Sequence, residues 1–371
     1  MKISVITVCY NSEKTIEQTI QSVISQKYDD LEYIIIDGGS TDRTLDIIDR
    51  YRNNISVFIS EPDNGLYDAM NKGMNLMSGD IFAFLNSDDW YAPGTLKKVN
   101  YYFEKNDTCM VSGNIFLHNN GENKKLVLDR SNKEDVFLRL VYPHPALFSR
   151  KEVYMRVGGF NTKYRIAADV DWVMRVCSSG YKVLCVDDYF TYFREGGLSS
   201  EKRYESLIEQ YHAAIQCIQK YHKEYLREKI DDYYNLVLPC VEKEELIKNA
   251  FEEHLDEIKE LFDEGEYYIW GTGAMAKNCL GIFEKLNIPV AGFIDSYKKQ
   301  ERFENYQVIS PDEIDINGYI CISSVKYEKE IIDVIKSIGI DESRYFTYAY
   351  LMEQIERKGC LEIEEDIILH G

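Results

Sequence analysis

Three groups of carboxylates in this chain stand where side chains could do chemistry. Asp37 opens the run Asp37-Gly38-Gly39-Ser40-Thr41-Asp42, in which glycines let the backbone approach a ligand and a short acceptor can pair with a ring N–H. The same hexapeptide also reads as a turn with a helix N-cap. Asp88 and Asp89, with Asn86 just upstream, make an all-oxygen set. Such a set suits Mg2+ or Mn2+, hard ions that combine one or two carboxylates with phosphate oxygens. A pair of aspartates there is equally the composition of a solvated turn. In Ala167-Ala168-Asp169-Val170-Asp171-Trp172, Asp169 and Asp171 precede a helix-like run. A helix start favours an ionised carboxylate, the form a general base must hold, and either residue would also serve as a cap.

The elements around these residues alternate short β-rich runs with helix-period segments, the pattern of a largely parallel sheet covered by helices. Ile3 to Val8 reads as a strand, Ser12 as the cap of a helix carrying Ile16, Ile20, Val23 and Ile24, and Glu32 to Ile36 as a second strand ending at Asp37. Val57 to Ile59 is a third strand, Leu66 to Met77 a helix, and Ile81 to Leu85 a strand that delivers Asn86 to Asp89, with Pro93 suited to the first turn of the next helix. Carboxylates therefore fall at the carboxyl end of a central strand, where open α/β sheets place their ligand crevice.

Net charge narrows the ligands. With 63 acids and 43 bases the 371-residue chain carries −20, which argues against nucleic acid and against general attraction to anionic lipid, while a nucleotide-sized anion at a local site is still allowed. No stretch approaches the roughly 18 apolar residues of a membrane span. The early Asn11, Glu13 and Lys14 do not fit a signal peptide, and the nine cysteines, without a Cys-x-x-Cys pair, read as buried free thiols of a cytoplasmic protein. From about Ser199 to Glu264 the pattern is helical, and residues 241 to 264 hold ten acids against three bases, the composition of a solvated helix face or partner surface.

Five motifs in order, Ser4 to Asn11, Asp37 to Asp42, Asp68-Ala69-Met70-Asn71-Lys72-Gly73, Phe84 to Asp89, and Gly158-Gly159-Phe160 ahead of Asp169, resemble the family 2 glycosyltransferases over roughly residues 1 to 200. The resemblance implies a GT-A fold, a nucleoside diphosphate sugar donor with UDP favoured, and inversion at the anomeric centre. By analogy Thr7, Tyr10 and Asn11 line the nucleoside pocket, Asp37 contacts the base, Lys72 lies near the diphosphate, and Asp88 faces the ribose or the metal. Asp89 then holds the metal and Asp169 is the catalytic base. Asn86 replaces the first Asp of the family's Asp-x-Asp-like motif and Ala168 the Glu that often precedes the base, which leaves Asp171 as the alternative base. His144, in Pro143-His144-Pro145-Ala146, shapes the acceptor side or is a structural loop residue, and Arg194 to Ser199 reads as a mobile loop.

Near the end, Tyr267 to Trp270, Gly271-Thr272-Gly273-Ala274-Met275-Ala276 and Val290 to Ile294 form a β-turn-α-β unit. Asp295 follows Gly271 by 24 residues, the layout of a dinucleotide fingerprint built on Gly271, Gly273 and an acid. The expected organisation is a GT-A glycosyltransferase domain over 1–220, an acidic helical linker over 221–262 and a small Rossmann-like α/β domain over 263–371. The expected activity is transfer to a saccharide or lipid-linked acceptor in cell-envelope polysaccharide biosynthesis, in the cytoplasm or at the inner face of the membrane as a peripheral protein. Two other readings fit parts of the chain: a non-catalytic nucleotide-sugar sensor, from Asn86 and Ala168, and an NAD-linked sugar oxidoreductase, from the last domain.

Overall fold

A computed structural model describes residues 1–355 except 120, 254, 297–300, 316 and 325, with the backbone alone at 242–253, 257 and 274. Its contacts divide into two compact units, Met1–Pro239 and a second beginning at Cys240.

In the first unit β1 (Ile3–Cys9), α1 (Ile16–Ile24), β2 (Leu31–Asp37), α2 (Thr44–Arg50), β3 (Val57–Ser60), α3 (Leu66–Leu76) and β4 (Ile81–Phe84) follow one another. Then come β5 (Trp90–Tyr91), α4 (Thr95–Lys105), β6 (Met110–Asn119), β7 (Glu122–Leu126), β8 (Leu147–Arg150), α5 (Lys151–Val157), α6 (Ala168–Ser178) and β9 (Val183–Arg194). The strands order as β3-β2-β1-β4-β8-β6-β9-β5, with β7 paired to β6. β3, β2, β1 and β4 form the expected parallel stretch and β6 pairs β9 in parallel, whereas β8 runs antiparallel to β4 and β6, and β5 antiparallel to β9. The largely parallel expectation therefore holds for half of the sheet, and the β6–β7 hairpin was not read from its Lys-rich second strand.

Both faces of the parallel half are covered. Ile6, Val8, Ile34 and Ile36 enter one core, and Val5, Tyr33, Ile35 and Ala83 enter the other, the alternation imposed by the strand pleat. Helix α1 begins three residues later than a Ser12 cap would place it. The Ser12 carbonyl accepts from Thr15 and Ile16, while its hydroxyl reaches Ser87 Oγ at 2.8 Å. Pro93 precedes α4, whose N-cap is Gly94 in the left-handed region.

Beyond β9 lie α7 (Leu198–Glu201), α8 (Arg203–Lys220) and α9 (Arg227–Glu253). Most side chains of the acidic run 241–264 lie outside the described residues, so its expected solvated face has no structural account. The second unit contains α10 (Leu255–Lys259), β10 (Tyr267–Trp270), α11 (Ala274–Lys285), β11 (Val290–Ile294), β12 (Arg302–Phe303), β13 (Tyr306–Ile309), β14 (Tyr319–Ile322), α12 (Glu328–Ser337) and β15 (Tyr345–Thr347). Strands β13-β11-β10-β14-β15 are parallel and β12 closes one edge antiparallel. Among the described residues no helix is long and apolar enough to cross a membrane. The described cysteines are unbridged, but Cys185 and Cys240 are exposed rather than buried; Cys360 lies outside the described residues.

Glu32 locks the amino-terminal edge of this sheet. Its buried carboxylate accepts from Ser4 Oγ at 2.6 Å, Ser78 N at 2.7 Å, Ser78 Oγ, and Lys2 Nζ at 2.9 Å. Burial works against its charge, but these donors outweigh it and hold the carboxyl at about 2, below its usual 4.5. A carboxylate whose folded value is depressed adds stability that is complete above the unfolded value and is lost as the pH falls through the folded one. Glu32→Gln should therefore cost about 2 kcal/mol at pH 7. The difference from the parent should shrink between pH 4.5 and 2 in urea unfolding.

Candidate active site

The carboxyl ends of β1, β2 and β4 lie side by side, because Cys9 pairs with Asp37 in register and Ile6 with Phe84. The loops leaving them are laced together. Asn11, with φ of 48°, accepts at Oδ1 from Thr41 N at 2.8 Å and donates its N–H to Ser40 Oγ at 2.8 Å. Asp37 is fully buried and occupied at both oxygens: Oδ2 accepts from Gly39 N, Ser40 N and Ser60 Oγ at 3.0, 2.9 and 2.7 Å, and Oδ1 from Ser40 Oγ. Its first task is thus to shape the turn. Thr7 is also fully buried, with its hydroxyl 3.2 Å from Tyr33 OH, whereas Tyr10 is 62 % exposed at the rim. Lys72 reaches Glu61 at 2.9 Å and the Pro62 carbonyl at 3.2 Å; the Glu61 contact raises its pKa.

The Asn86–Asp89 turn is different, since its oxygens are not all used. Asp89 is completely buried, and one oxygen accepts from the Arg194 backbone N–H at 3.0 Å. Its Oδ2 and Asn86 Oδ1 are buried without a protein partner among the described residues. Burial, with the neighbouring Asp88 charge, pushes the Asp89 carboxyl well above the ordinary range; burial also raises Asp88, against the opposing pull of Arg194. Orphaned buried oxygens cost about 1–3 kcal/mol each, so the turn favours a cation that would bond them. The donor set is all oxygen, which fits a hard divalent ion. Among the described residues no three His, Cys, Asp or Glu side chains gather as in a closed site, so any ion here would keep open positions.

Asp169 sits in the first turn of α6, and Tyr67 OH lies 2.8 Å from its Oδ1 and 2.6 Å from the Ile166 carbonyl. No side chain caps this helix locally. Instead Glu209, from α8, accepts from the backbone N–H groups of Arg165, Ile166 and Ala167 at 2.9, 2.8 and 2.9 Å. The glycine turn 158–160 is a second anchor. Its Gly158 carbonyl accepts from Trp172 Nε1 at 2.9 Å and its Gly159 carbonyl from Arg175 Nη2 at 2.7 Å, while the Asn71 amide brackets Phe160 at 2.9 and 3.0 Å. A Cβ on Gly159 would lie 2.5 Å from Asn71 Oδ1, which explains the glycine. His144 stacks on Phe84 at 5.4 Å, and its Nε2 is buried without a partner among the described residues; burial lowers its pKa, with Asp169 opposing.

Arg194, Tyr67 and Glu209 were not singled out as site residues from sequence. Arg194 was read as the start of a mobile loop, yet it donates to Asp89 through its backbone, to the Asp88 carbonyl through Nε at 3.3 Å and to Gln18 through Nη2 at 2.9 Å. A cation two residues before a Gly-Gly pair was the only signal, and it did not name its partner. In the second unit Gly271 has φ of +125°, and a Cβ there would lie 2.6 Å from Ser323 Oγ; Gly273 caps α11, and Asp295 Oδ2 accepts from Thr272 Oγ1 at 3.1 Å.

Asp171 is held by Arg175 Nε at 2.9 Å, both side chains being about one-tenth exposed or less. Burial raises its pKa and Arg175 opposes that. Removing one partner of a buried pair strands the other charge, so Asp171→Ala should destabilise the protein by about 3 kcal/mol. Urea unfolding checks this, with Asp169→Ala, whose carboxylate has no ion pair among the described residues, expected to cost about 1 kcal/mol or less.

Residues 4–170 match the model described as "Glycosyl transferase family 2", and residues 266–346 match the one described as "C2185-like, N-terminal". A "PGL/p-HBAD biosynthesis glycosyltransferase" of Mycobacterium bovis is 30 % identical over 181 residues, spanning 47 % of this chain and 70 % of the relative. An "Uncharacterized glycosyltransferase" of Haemophilus influenzae is 36 % identical over 114 residues, 30 % of this chain and 35 % of the relative. Among solved structures, S. aureus TarS in complex with UDP-GlcNAc aligns with a TM-score of 0.49 and 21 % identity, covering 57 % of this chain and 66 % of that one. On the strength of the matched residues 4–170 and the mycobacterial relative, the chain belongs to glycosyltransferase family 2.

Proposed function

We propose that this protein is a metal-dependent, inverting glycosyltransferase that takes its sugar from a nucleoside diphosphate sugar, UDP-linked by preference. The observation that carries the reading is the pair of buried, unpartnered oxygens on Asn86 and Asp89 at the carboxyl end of β4. Asp88 and Asp89 would hold Mn2+ or Mg2+, which when bound neutralises charge on the diphosphate leaving group. The loops after β1 and β2, carrying Tyr10, Asn11 and Asp37, form the nucleoside side, and Lys72 lies beyond Glu61. Asp169 accepts the proton of the attacking acceptor hydroxyl, and Tyr67 orients that carboxylate. A single base with no enzyme nucleophile gives one displacement and inversion. Asp171, neutralised by Arg175, is assigned to structure rather than to proton transfer.

The acceptor in this reading is a saccharide or lipid-linked saccharide of the cell envelope, reached from the cytoplasmic side. The biosynthetic role named for the mycobacterial relative is in line with this. In transfer assays with UDP-sugars and Mn2+, Asp169→Asn should lower kcat by about 100-fold or more. Donor affinity should be nearly unchanged in that variant, and EDTA should abolish transfer in the parent. Full turnover by the variant, or turnover indifferent to EDTA, would refute the corresponding assignment.

The second unit is read as a Rossmann-like nucleotide-binding module, supported by its parallel strand order, the Gly271–Gly273 turn and the Thr272–Asp295 contact. NAD or a UDP-sugar should raise the melting temperature of the parent protein, and Asp295→Ala should weaken the response to that nucleotide. A response that Asp295→Ala leaves intact in all cases would rule the module out as the binder.

A further inference from the structure

Two cysteines of the second unit meet inside its core. Cys279 of α11 and Cys321 of β14, 42 residues apart, are both fully buried, and their Sγ atoms lie 3.1 Å apart. They pack among Ile258, Tyr267 and Phe283, and none of the assignments above uses them. A thiol is a weak donor and a weak acceptor, so one S–H···S contact adds little that an apolar pair of the same volume would not supply. What the contact does supply is reach. A disulfide holds its sulfurs at about 2.05 Å, so these two stand about 1 Å from bonding distance.

We propose that Cys279 and Cys321 are a modification site, forming a reversible disulfide that ties α11 to β14 inside the second unit. Their place in the fold gives the bond a consequence. Helix α11 starts at its cap Gly273, and β14 leads directly into Ser323. Ser323 Oγ donates to the Trp270 carbonyl at 2.8 Å and faces Gly271, so the two tied elements frame the 271–273 turn. A cross-link between residues this far apart in the chain restricts the unfolded and opened forms more than the folded one.

The oxidant is a hydroperoxide, of which hydrogen peroxide is scarcely larger than water. One sulfur, as its thiolate, attacks a peroxide oxygen; the O–O bond breaks, hydroxide leaves, and the sulfur becomes a sulfenic acid. The second sulfur attacks the first, the S–S bond forms, the S–O bond breaks, and a second hydroxide leaves. With the two thiol protons, both hydroxides become water, so two thiols are oxidised as one peroxide is reduced. A dithiol reductant restores the pair by exchange. Contact with Cys279 and burial push the Cys321 thiol well above its usual value, so the first step is slow and waits on openings of the unit. The second step joins sulfurs already in contact and outruns capture by any other thiol.

The test treats the full-length protein with hydrogen peroxide, alkylates the remaining thiols in urea, and maps the tryptic peptides by mass. Each of the two cysteines falls in a peptide of its own, Asn278–Lys285 and Phe303–Lys326. These peptides are expected to be recovered joined, in higher yield than any linkage of the exposed Cys185 or Cys240, and to separate on treatment with dithiothreitol. In Cys321→Ala the first peptide should stay unlinked. By hydrogen exchange, the amides of α11 and β14 should exchange about tenfold more slowly in the oxidised parent than in the reduced one, with no such difference in Cys321→Ala. Recovery of both peptides alkylated after the exposed thiols have reacted would mean two thiols packed as hydrophobes only, and would overturn the proposal. Linkage mainly to other cysteines, or a joined pair whose amides exchange as in the reduced protein, would overturn it as well. No readout involves sugar transfer or nucleotide, so these outcomes leave the readings above untouched.

Discussion

A carboxylate buried without an ion pair is expensive, and the first unit is organised around keeping one there. Asp89 has a single donor, the Arg194 amide, and its other oxygen is left unpartnered in a site with no measurable exposure. A helix and a strand hold it: its own carbonyl accepts from Thr19 Oγ1 at 2.7 Å, which ties the turn to α1, while Arg194 ends β9. The order in which β4, β8, β6, β9 and β5 pair is what brings the last residue of β9 against a turn 105 residues earlier. Left unpartnered, that buried oxygen costs the folded protein stability, and burial shifts the carboxyl toward its neutral form.

The motifs that suggested chemistry divide on inspection into chemistry and scaffolding. Gly158-Gly159-Phe160 carries no reactive group; it offers two carbonyls to α6 and a ring to the core beside Tyr67 and Phe84. Asn71 of the Asp68–Gly73 motif serves the same turn, and Gly73 lets α3 approach β1, since a Cβ there would lie 2.5 Å from Ile6 Cγ2. Asp37, read as a base contact, first stitches its own loop. These residues fix the backbone around α6 and Phe160 rather than offering reactive groups of their own.

The strands of the parallel half were legible because burial on both faces demands unbroken apolar runs, and β10 and β11 match their expected limits. The hairpin β6–β7 was not, since Glu122 to Leu126 carries charge rather than alternation on an exposed edge. Asp88, Asp89 and Asp169 were visible as residue types beside glycines and helix starts. Their partners were not: Tyr67 lies 102 residues from Asp169, and Glu209 lies 42 residues from Ala167. Nothing local in a tyrosine on a helix or a glutamate on a later one records such a meeting, which exists only after the sheet and α8 have assembled. Ser12 illustrates the converse, a good local cap signal overridden when its hydroxyl found Ser87 across the crevice.

The anchoring of α6 has a mechanical meaning. Glu209 fixes the chain entering the helix, Trp172 fixes the first turn through the Gly158 carbonyl, and Arg175 fixes the next through Val157 and Gly159. Three sets of hydrogen bonds from separate residues restrain the helix. What is left to Asp169 is rotation about its own side-chain bonds, and Tyr67 restrains that. The Asp169 carboxylate is thus positioned by contacts within the protein itself.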